Sequence, residues 1–561
     1  MGEYALMLIL ALSAEPAPWQ DAVVVRPSAW SNALKPWKQY RLGQSIRVHE
    51  IDAEKGAEEI VQSIRSLAAR PNIKLEYVML AGDVAEDPSP DRRNAARLVP
   101  TCYQSSTAMA RFGSEPHIAT DNTFADLNGD YKPELAVGRI PADNPEQLAV
   151  MLQNTIDFER NADFSMWRRN VHVVAGIGGF GALIDSVVEM TTRRFLTDSV
   201  PSWAELSMTY ACPGSPFCPD PFRFGQAAIE RMNQGGAFWV YVGHGHVETL
   251  DKVQVNDELL DILTTEQVDQ VDCRQCPPIA VFLACYTGAF DASRDCLAEQ
   301  LLKSRSGPVA ALAASRMTGP YGMSLMASGM LTACYEHQNP RLGKIILHAK
   351  QEMLRDDANS GKVVSMNQSA ANTPVNKVVS DTQRPIARGA RIELINSLAA
   401  AFSPDGHDLA QERLEHVWEM NLLGDPMLRL IHPQPLSINI PQRVQPGATI
   451  AVAGTAPIPG QLRVELVLSR DSLPRDLRPI KRFSSNLADR NAMQRCYELA
   501  NARVLNSCDK IVAIGNFDAL LNAPKDLPAG RYSVRAFLEG ASGWAAGESQ
   551  ISIRKSSLPS Q

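Results

Sequence analysis

Two histidines that share one glycine follow a run of strand-forming residues in GGAFWVYVGHGHVETL, residues 235–250. A second apolar run, in PPIAVFLACYTGAFDAS, ends on Cys285. An imidazole within hydrogen-bonding distance of a thiol can take its proton, and the thiolate is a strong nucleophile near neutral pH. His244 and Cys285 are therefore candidates for a general base and a nucleophile. The alternative for each alone is structural, since a strand-end histidine can satisfy stray carbonyls and a buried cysteine is usually inert.

Acidic and amide side chains alternate in DNTFADLNGDYKPELAVGR, where Asp126, Asn128 and Asp130 surround Gly129. Oxygen ligands at this spacing converge in a tight turn, which suits Ca²⁺. We therefore expect a structural calcium site here, and no cofactor for the chemistry itself. The alternative is an Asx-rich turn with solvated carboxylates, which needs no metal.

A glycine-rich segment, VVAGIGGFGALIDSVVEM, places Gly176, Gly178 and Gly181 in the G-x-G-x-x-G spacing between a predicted strand and a predicted helix near 182–199. Phosphate binding at the start of a helix would suit this pattern. The next predicted strand, AELSMTYA, ends at Cys212 with no acid to bind a ribose hydroxyl, so the dinucleotide fingerprint is incomplete. The segment predicts a tight strand-to-helix turn.

Strands and amphipathic helices alternate along most of the chain, first over residues 21–165 and again from residue 170 to 354. This order predicts an α/β fold with mostly parallel sheets and helices on both faces. The strands AFWVYVGH, IAVFLACY and PVAALAAS are almost continuously apolar, as expected of parallel strands buried on both faces. Open α/β sheets carry their functional residues at the carboxyl ends of strands, so His244 and Cys285 are expected at one edge.

Changes in composition along the chain predict its division into domains. Residues 23–165 and 166–432 are predicted to form two α/β sub-domains, each with its own sheet, and residues 355–385 within the second to form a long loop. Apolar and polar residues alternate between Gly/Pro turns over residues 433–561, which predicts an antiparallel β-sandwich. Residues 1–22 are predicted to be a signal peptide or an extension.

The bulk numbers exclude several classes of protein. Hydrophobic residues make up 45% and charged residues 21% of the 561 residues, which excludes a disordered or fibrous chain. The net charge of −7 and the lack of a basic block argue against a nucleic-acid partner. No apolar run is long enough for a membrane span. The segment YALMLILALSAEPAP predicts export to the periplasm, cell surface or medium, although Glu3 and the missing basic residues leave a cytoplasmic chain with a frayed extension as the alternative.

Six segments, spread in order over the chain, resemble the gingipain-type cysteine peptidases, which share the caspase-like fold: YVMLAGD, ADLNGDYKPELAVGRIPA, GGAFWVYVGHG, VFLACYTGAFD, AASRMTG and NLLGDPML. The resemblance implies a three-layer αβα architecture, a terminal immunoglobulin-like domain and a cysteine endopeptidase acting on polypeptides. It also implies that His244 is the base and Cys285 the nucleophile. The backbone N–H groups of Gly245 and Cys285 would form the oxyanion hole, and Glu134 would orient His244.

The sequence departs from this family in places. VETL stands where a tryptophan is usual, and His246 stands where a small polar residue is usual, so we assign His246 to the rim. Relatives that select Arg or Lys carry an acidic residue shortly after the Gly-Arg pair. Here Gln147 takes that position beside Asp143 and Glu146, and these three are the predicted substrate-binding residues. The alternative function is a catalytically silent binding or surface module, which the presence of both His244 and Cys285 disfavours.

Overall fold

The computed structural model describes residues 19–84, 99–178, 200–355, 388–404, 406–474 and 477–554. The strands up to residue 423 are, in chain order, β1 (Gln20–Arg26), β2 (Ile46–Asp52), β3 (Leu75–Ala81), β4 (Cys102–Ser105), β5 (His117–Thr120), β6 (Ala136–Ile140), β7 (Asn170–Ala175), β8 (Glu205–Tyr210), β9 (Phe238–Val242), β10 (Lys252–Val255), β11 (Glu258–Asp261), β12 (Ile279–Leu283), β13 (Ala310–Ala314) and β14 (Met420–Leu423). The α-helices over the same part are α1 (Lys35–Leu42), α2 (Ala57–Ala68), α3 (Pro145–Arg160), α4 (Phe224–Asn233), α5 (Leu297–Lys303), α6 (Pro320–Leu331), α7 (Leu342–Met353), α8 (Arg388–Phe402) and α9 (Leu409–Glu419).

Ten of these strands form one sheet in the order β2-β1-β3-β6-β14-β13-β12-β9-β7-β8. The predicted α/β fold class is confirmed. The two sheets predicted for separate sub-domains are, however, joined into one by β14, which pairs with β6 at Leu423 and with β13 along its length. A strand of 4 residues is too short for its sequence pattern to indicate it, which is why the sequence predicts two sheets.

The direction of the strands changes in the middle of the sheet. β9, β12 and β13 run parallel to one another, β14 runs antiparallel to β13, and β6 runs parallel to β14. The edge at which β9 and β12 end is therefore the edge at which β6 begins. We call it the Cys285 edge, because Cys285 follows β12 there.

Both faces of the central strands are buried, as their apolar sequences predict. Trp239 of β9 and Phe282 of β12 lie in the core on one face, and Phe238 and Val281 lie in the core on the other. The rings of Trp239 and Phe282 meet edge to face with centroids 5.7 Å apart, so an aromatic pair joins these two neighbouring strands. Burying one such side chain contributes about 1.5–3 kcal/mol to the free energy of folding. The buried sheet therefore holds the residues at its edge in fixed positions.

Residues beyond β14 form a second, strand-rich unit. Its elements are β15 (Gln434–Pro435), β16 (Ser437–Asn439), β17 (Arg443–Val444), β18 (Thr449–Ala456), β19 (Gly460–Leu468), α10 (Leu487–Asn501), β20 (Val504–Val512), β21 (Gly515–Asn522), β22 (Gly530–Gly540) and β23 (Gly543–Ile553). One sheet has the order β15-β23-β22-β19-β20 with β17 beside β23, the other the order β16-β18-β21, and both contribute to one core. The more specific immunoglobulin-like assignment stays a prediction.

Buried charges join the two units. The Glu465 carboxylate of β19 binds Arg535 of β22 at 2.6 Å and Arg169, just before β7, at 3.0 Å. The helix α10, which the sequence does not predict, packs on the edge strand β8, where the hydroxyls of Tyr497 and Thr209 lie 2.9 Å apart. The interface therefore lies at the β8 side of the large sheet and includes buried ion pairs and hydrogen bonds.

The predicted N-terminal extension, residues 1–22, overlaps the sheet, because β1 begins at Gln20 and buries Asp21 and Ala22. The apolar segment before it, the helix predicted near 182–199 and most of the loop predicted at 355–385 lie outside the described residues. Of the helices in the described ranges, none has the length and hydropathy to cross a bilayer. All 10 cysteines are free thiols in the structure.

Candidate active site

Strand register brings the two candidate residues together. β9 and β12 pair in parallel with Val242 opposite Leu283, and the Gly243 N–H extends this pairing to the Leu283 carbonyl at 3.3 Å. Two residues beyond this pair, His244 and Cys285 follow the ends of the two neighbouring strands. The buried Tyr241 hydroxyl donates to the His244 carbonyl at 2.9 Å and holds the backbone where β9 ends. The structure thus places the ends of β9 and β12 at one edge of the sheet, as the sequence predicts.

Gly245 lies against Cys285 with no space for a side chain. A Cβ atom on Gly245 would be 2.7 Å from the Cys285 carbonyl oxygen and 2.8 Å from Cγ2 of Thr287. In the part of the chain that the structure describes, neither the Gly245 N–H nor the Cys285 N–H makes a hydrogen bond. Two unpaired donors beside a thiol are the groups that stabilise an oxyanion formed by attack of that thiol.

The Cys285 thiol is half-buried and faces the segment that follows β13. The Thr318 backbone N–H points at Sγ with a nitrogen–sulfur distance of 3.3 Å, and the hydroxyl and carbonyl oxygens of Thr318 lie 3.6 and 3.7 Å from Sγ. An N–H donor directed at sulfur stabilises the thiolate more than the thiol, because the charged acceptor forms the stronger hydrogen bond. Thr318 lies in AASRMTG, which the sequence analysis matched to the family without assigning a role to this residue.

Tyr286 turns the chain sharply after Cys285. Its φ of 58° lies in the left-handed region, which costs a residue with a side chain roughly 1–2 kcal/mol. The Tyr286 N–H donates to the Arg316 carbonyl at 3.1 Å, and its hydroxyl donates to Glu115 at 2.7 Å. Arg316 is itself fixed by an ion pair with Asp291 at 2.6 Å. These contacts fix the turn that presents Cys285 at the edge of the sheet.

Glu134, predicted to orient His244, lies at the Cys285 edge just before β6. Its carboxylate accepts the Leu127 N–H at 2.7 Å and the Asn128 side-chain N–H at 2.8 Å, both within its own loop. Between β6 and β9 lie β14, β13 and β12, so about four strand spacings of about 4.8 Å, roughly 19 Å, separate them. The structure does not bring Glu134 to His244.

Glu134 instead closes the acidic loop. Carboxylate oxygens of Asp126, Asp130 and Glu134 all lie within 4.8 Å of one another. Asp126 accepts the Gly129 N–H at 2.7 Å, and Asn128 accepts the Asp130 N–H at 2.8 Å, as in an Asx-turn. Burial, together with the charges of Asp126 and Asp130, raises the pKa of Glu134. The loop thus gathers negative charge that a cation would neutralise, and Glu134 belongs to the candidate ligands.

The predicted substrate-binding residues lie away from the thiol. Asp143, Glu146 and Gln147 follow β6, and β6 ends at the edge opposite Cys285 because of the strand reversal at β14. The Asp143 carboxylate binds Lys303 at 2.8 Å at the end of α5, and the Asp143 N–H donates to the Gln147 side chain at 2.7 Å. Glu146 is exposed in the first turn of α3. The structure brings none of the three to Cys285.

The sequence analysis missed a set of buried titratable residues behind the thiol, on one face of α9. They are Glu412, Glu415, His416 and Glu419, each no more than 4% exposed. Burial and the neighbouring Cys285 raise the pKa of Glu419 well above its usual range. The signal was present in the spacing i, i+3, i+4, i+7 within LAQERLEHVWE, which is that of one helix face, but charged residues at this spacing usually face solvent.

Known proteins resemble this chain in sequence family and in fold. A model of Peptidase family C25 matches residues 16–431 of the chain. No curated protein matches it. The crystal structure of the Arg-specific cysteine proteinase gingipain R (RgpB) is similar with a TM-score of 0.50 and 15% identity, over 96% of this chain and 99% of that one. A complex of the pro- and mature domains of Porphyromonas gingivalis RgpB is similar with a TM-score of 0.50 and 15% identity, over 95% of this chain and 100% of that one.

The two structural matches support the fold, since their identity is low, and the family match supports the kind of enzyme. It spans the whole large sheet, including the strands that carry His244 and Cys285. The chain belongs to Peptidase family C25 and is a cysteine-type peptidase, a hydrolase whose substrates are polypeptides.

Proposed function

We propose that the protein is an endopeptidase in which Cys285 is the nucleophile and His244 the general base. His244 takes the thiol proton, and Sγ attacks the carbonyl carbon of the scissile peptide bond. The N–H groups of Gly245 and Cys285 stabilise the resulting oxyanion. The intermediate collapses to a thioester as His244 returns the proton to the leaving amine. Water then hydrolyses the thioester, with His244 again as the base, and the thiol is restored.

The observation that carries this proposal is the approach of the strand-end segment 244–245 to Cys285. Gly245 leaves its N–H open and close to the thiol-bearing residue, where a side chain would not fit. A silent relative that used this surface only for binding would have no need of two unpaired backbone donors beside a half-buried thiol, since burying unpaired N–H groups is costly. The geometry therefore favours hydrolysis over a binding module.

The test is cleavage of a peptide library by the purified protein, with products identified by mass spectrometry. Cys285→Ala is expected to abolish cleavage. The matched control is Cys276→Ala, which removes another half-buried thiol whose pKa burial raises to about 11, and which is expected to leave cleavage unchanged. Cleavage by Cys285→Ala at the wild-type rate would refute the proposed nucleophile. No cleavage by the wild type at any peptide bond would favour the silent module.

We also propose that the loop of Asp126, Asn128, Asp130 and Glu134 holds a structural Ca²⁺. The residues fit the ion, because three carboxylates converge within 4.8 Å and hard oxygen ligands are those calcium prefers. The ion would neutralise the charges that raise the pKa of Glu134. The Arg65 guanidinium, 3.8 Å from the Asp126 carboxylate, already offsets part of this charge. The proposed role is to stabilise the loop before β6.

A further inference from the structure

Behind the thiol, α9 carries the buried face of Glu412, Glu415, His416 and Glu419 described above. Charged side chains are rarely placed in a protein interior unless they are hydrogen-bonded or neutral, because desolvation is costly. Three of the four are fully buried, so each needs a physical account. The reaction proposed above uses none of them directly.

Glu415 has a structural account. Its carboxylate accepts the backbone N–H groups of Thr107, Ala108 and Met109 at 2.6, 2.8 and 2.9 Å. Although burial alone would raise the pKa of Glu415, these hydrogen bonds lower it below the usual value. Glu415 is thus an ionised anchor for the turn at residues 106–109, and its contacts do not lead to Cys285.

The contacts of His416 do lead to Cys285. Nδ1 lies 2.8 Å from the Glu412 carbonyl oxygen, which accepts only, so Nδ1 carries the proton. Nε2 accepts the Gly319 backbone N–H at 2.8 Å and also lies 3.1 Å from the Gly319 carbonyl oxygen. The ring is closely packed, since a Cβ atom on Gly322 would come within 2.1 Å of it. His416 therefore holds Gly319 through contacts of Nε2 with its backbone.

Gly319 directly follows Thr318, whose N–H points at Cys285 Sγ. Two consecutive N–H groups are thus directed to two different acceptors, the Cys285 sulfur and the His416 ring nitrogen. A peptide unit is planar, so fixing the N–H of Gly319 fixes the plane that contains the Thr318 carbonyl and restricts the rotation of Thr318. The hydrogen bond to His416 is the one of the two that does not change during the reaction.

We propose that His416 is a positioning residue for Cys285: by accepting the Gly319 N–H, it holds the Thr318 N–H against Sγ and so favours the thiolate. The inference rests on the proposed role of Cys285 as the nucleophile.

Several titratable groups lie around His416. Glu419 lies nearest, with Oε1 3.3 Å from Nδ1, and neither of its oxygens accepts a conventional hydrogen bond. Burial, as the largest cause, raises the pKa of Glu419 and so favours its uncharged form. Glu412 is paired with His407, and Cys285, Glu415 and Arg316 are the other charged or titratable groups acting on Glu419.

The test compares two buried histidines. His416→Phe removes the acceptor of the Gly319 N–H, and His172→Phe is the matched control, because His172 is also buried and hydrogen-bonded but lies on β7, near the Gly235 carbonyl at the opposite edge. His416→Gln supplies an oxygen acceptor in place of Nε2. The readouts are the melting temperature and the rate at which iodoacetamide alkylates Cys285 at pH 7, followed by peptide mass spectrometry.

Both phenylalanine variants are expected to lower the melting temperature, but only His416→Phe is expected to slow alkylation of Cys285, by about tenfold, the size of one lost hydrogen bond. His416→Gln is expected to restore most of the rate. If His416→Phe does not fold, His416→Asn replaces it, since its shorter amide does not reach Gly319, and it should react more slowly than His416→Gln.

Equal alkylation rates in the wild type and a folded His416→Phe protein would overturn the proposal, and so would equal rates in His416→Asn and His416→Gln. The proposed reaction fails separately, by persistence of peptide cleavage in Cys285→Ala. That result would leave the alkylation comparison interpretable, because alkylation reports on the thiol whether or not it cleaves peptides.

Discussion

Gly245 and Cys285 are in such close contact that a Cβ atom on Gly245 would lie 2.7 Å from the Cys285 carbonyl oxygen. Real Cβ atoms do not approach an oxygen this closely, so either residue would have to move. The strands β9 and β12 are held in place by their buried side chains in the sheet. A side chain on Gly245 would therefore displace the segment after β9, which carries His244. The relation between these residues therefore makes the glycine a requirement of the site's geometry.

Gly245→Ala is expected to lower the rate of peptide cleavage by about 10²-fold or more, because it displaces one of the two proposed oxyanion donors. The control is Gly56→Ala, where a Cβ atom meets nothing within 4 Å and the residue precedes α2. Cleavage rates of both variants are measured on one peptide from the library. A Gly245→Ala enzyme as fast as Gly56→Ala would show that the N–H of Gly245 has no part in the reaction.

Asp143, Glu146 and Gln147 are expected to have no influence on the residue preferred before the scissile bond. They lie at the edge of the sheet opposite Cys285, and Asp143 is engaged by Lys303 at 2.8 Å. The variants Asp143→Asn, Glu146→Gln and Gln147→Ala should give the same cleavage pattern in the peptide library as the wild type. If any of these variants prefers a different residue before the scissile bond, this part of the chain does contribute to substrate binding.

Removal of Ca²⁺ is expected to lower the melting temperature, since an ion that binds only the folded protein stabilises it by mass action. The measurement is thermal unfolding with chelator and with excess calcium. Asp130→Asn keeps the size of the side chain and removes one charge, and its melting temperature should respond less to calcium. Identical curves with chelator and calcium in the wild type would show that the loop is an Asx-turn that needs no ion.

Acid is expected to destabilise the protein partly through His172. Burial, and secondarily the charge of Arg231, lower the pKa of His172 from 6.5 to about 4. Between these two values the unfolded chain binds a proton that the folded chain does not, so this contribution to stability is lost as pH falls from 6.5 towards 4. The loss amounts to roughly 3 kcal/mol.

The check is urea unfolding at pH 7 and pH 4.5 for the wild type and His172→Gln, which cannot titrate. The variant is expected to lose less stability between the two pH values. Carboxylates elsewhere titrate equally in both proteins and cancel in the comparison. The same loss in both would mean that His172 is protonated in the folded state.

The placement of His244 and Cys285 after neighbouring strands at one edge was predictable, because both follow apolar strands and parallel neighbours end at one edge. The reversal at β14 was not, since 4 residues leave no periodic signal and their partners in β6 and β13 are distant in sequence. That reversal separates Asp143 from the thiol. It also places β12, β13 and β14 between Glu134 and His244.

The contacts of Thr318 and His416 could not be predicted from the sequence, for a different reason. Thr318 reaches the thiol through its backbone N–H, and a backbone group leaves no trace in the residue type. His416 stands on a helix face of charged residues, which sequence patterns assign to solvent. Only the packing of α9 against the segment after β13 shows that this face is buried.

The central claim is that His244 activates Cys285, and the most direct measurement is the rate at which an iodoacetamide probe labels each thiol at neutral pH. We expect Cys285 to be labelled faster than the other cysteines, and His244→Ala to slow this labelling by about 10²-fold, the loss expected for a positioned base. His246→Ala, which removes the exposed histidine two residues further along, should label like the wild type. Slow, equal labelling of all thiols, or a His244→Ala protein labelled at the wild-type rate, would contradict the account.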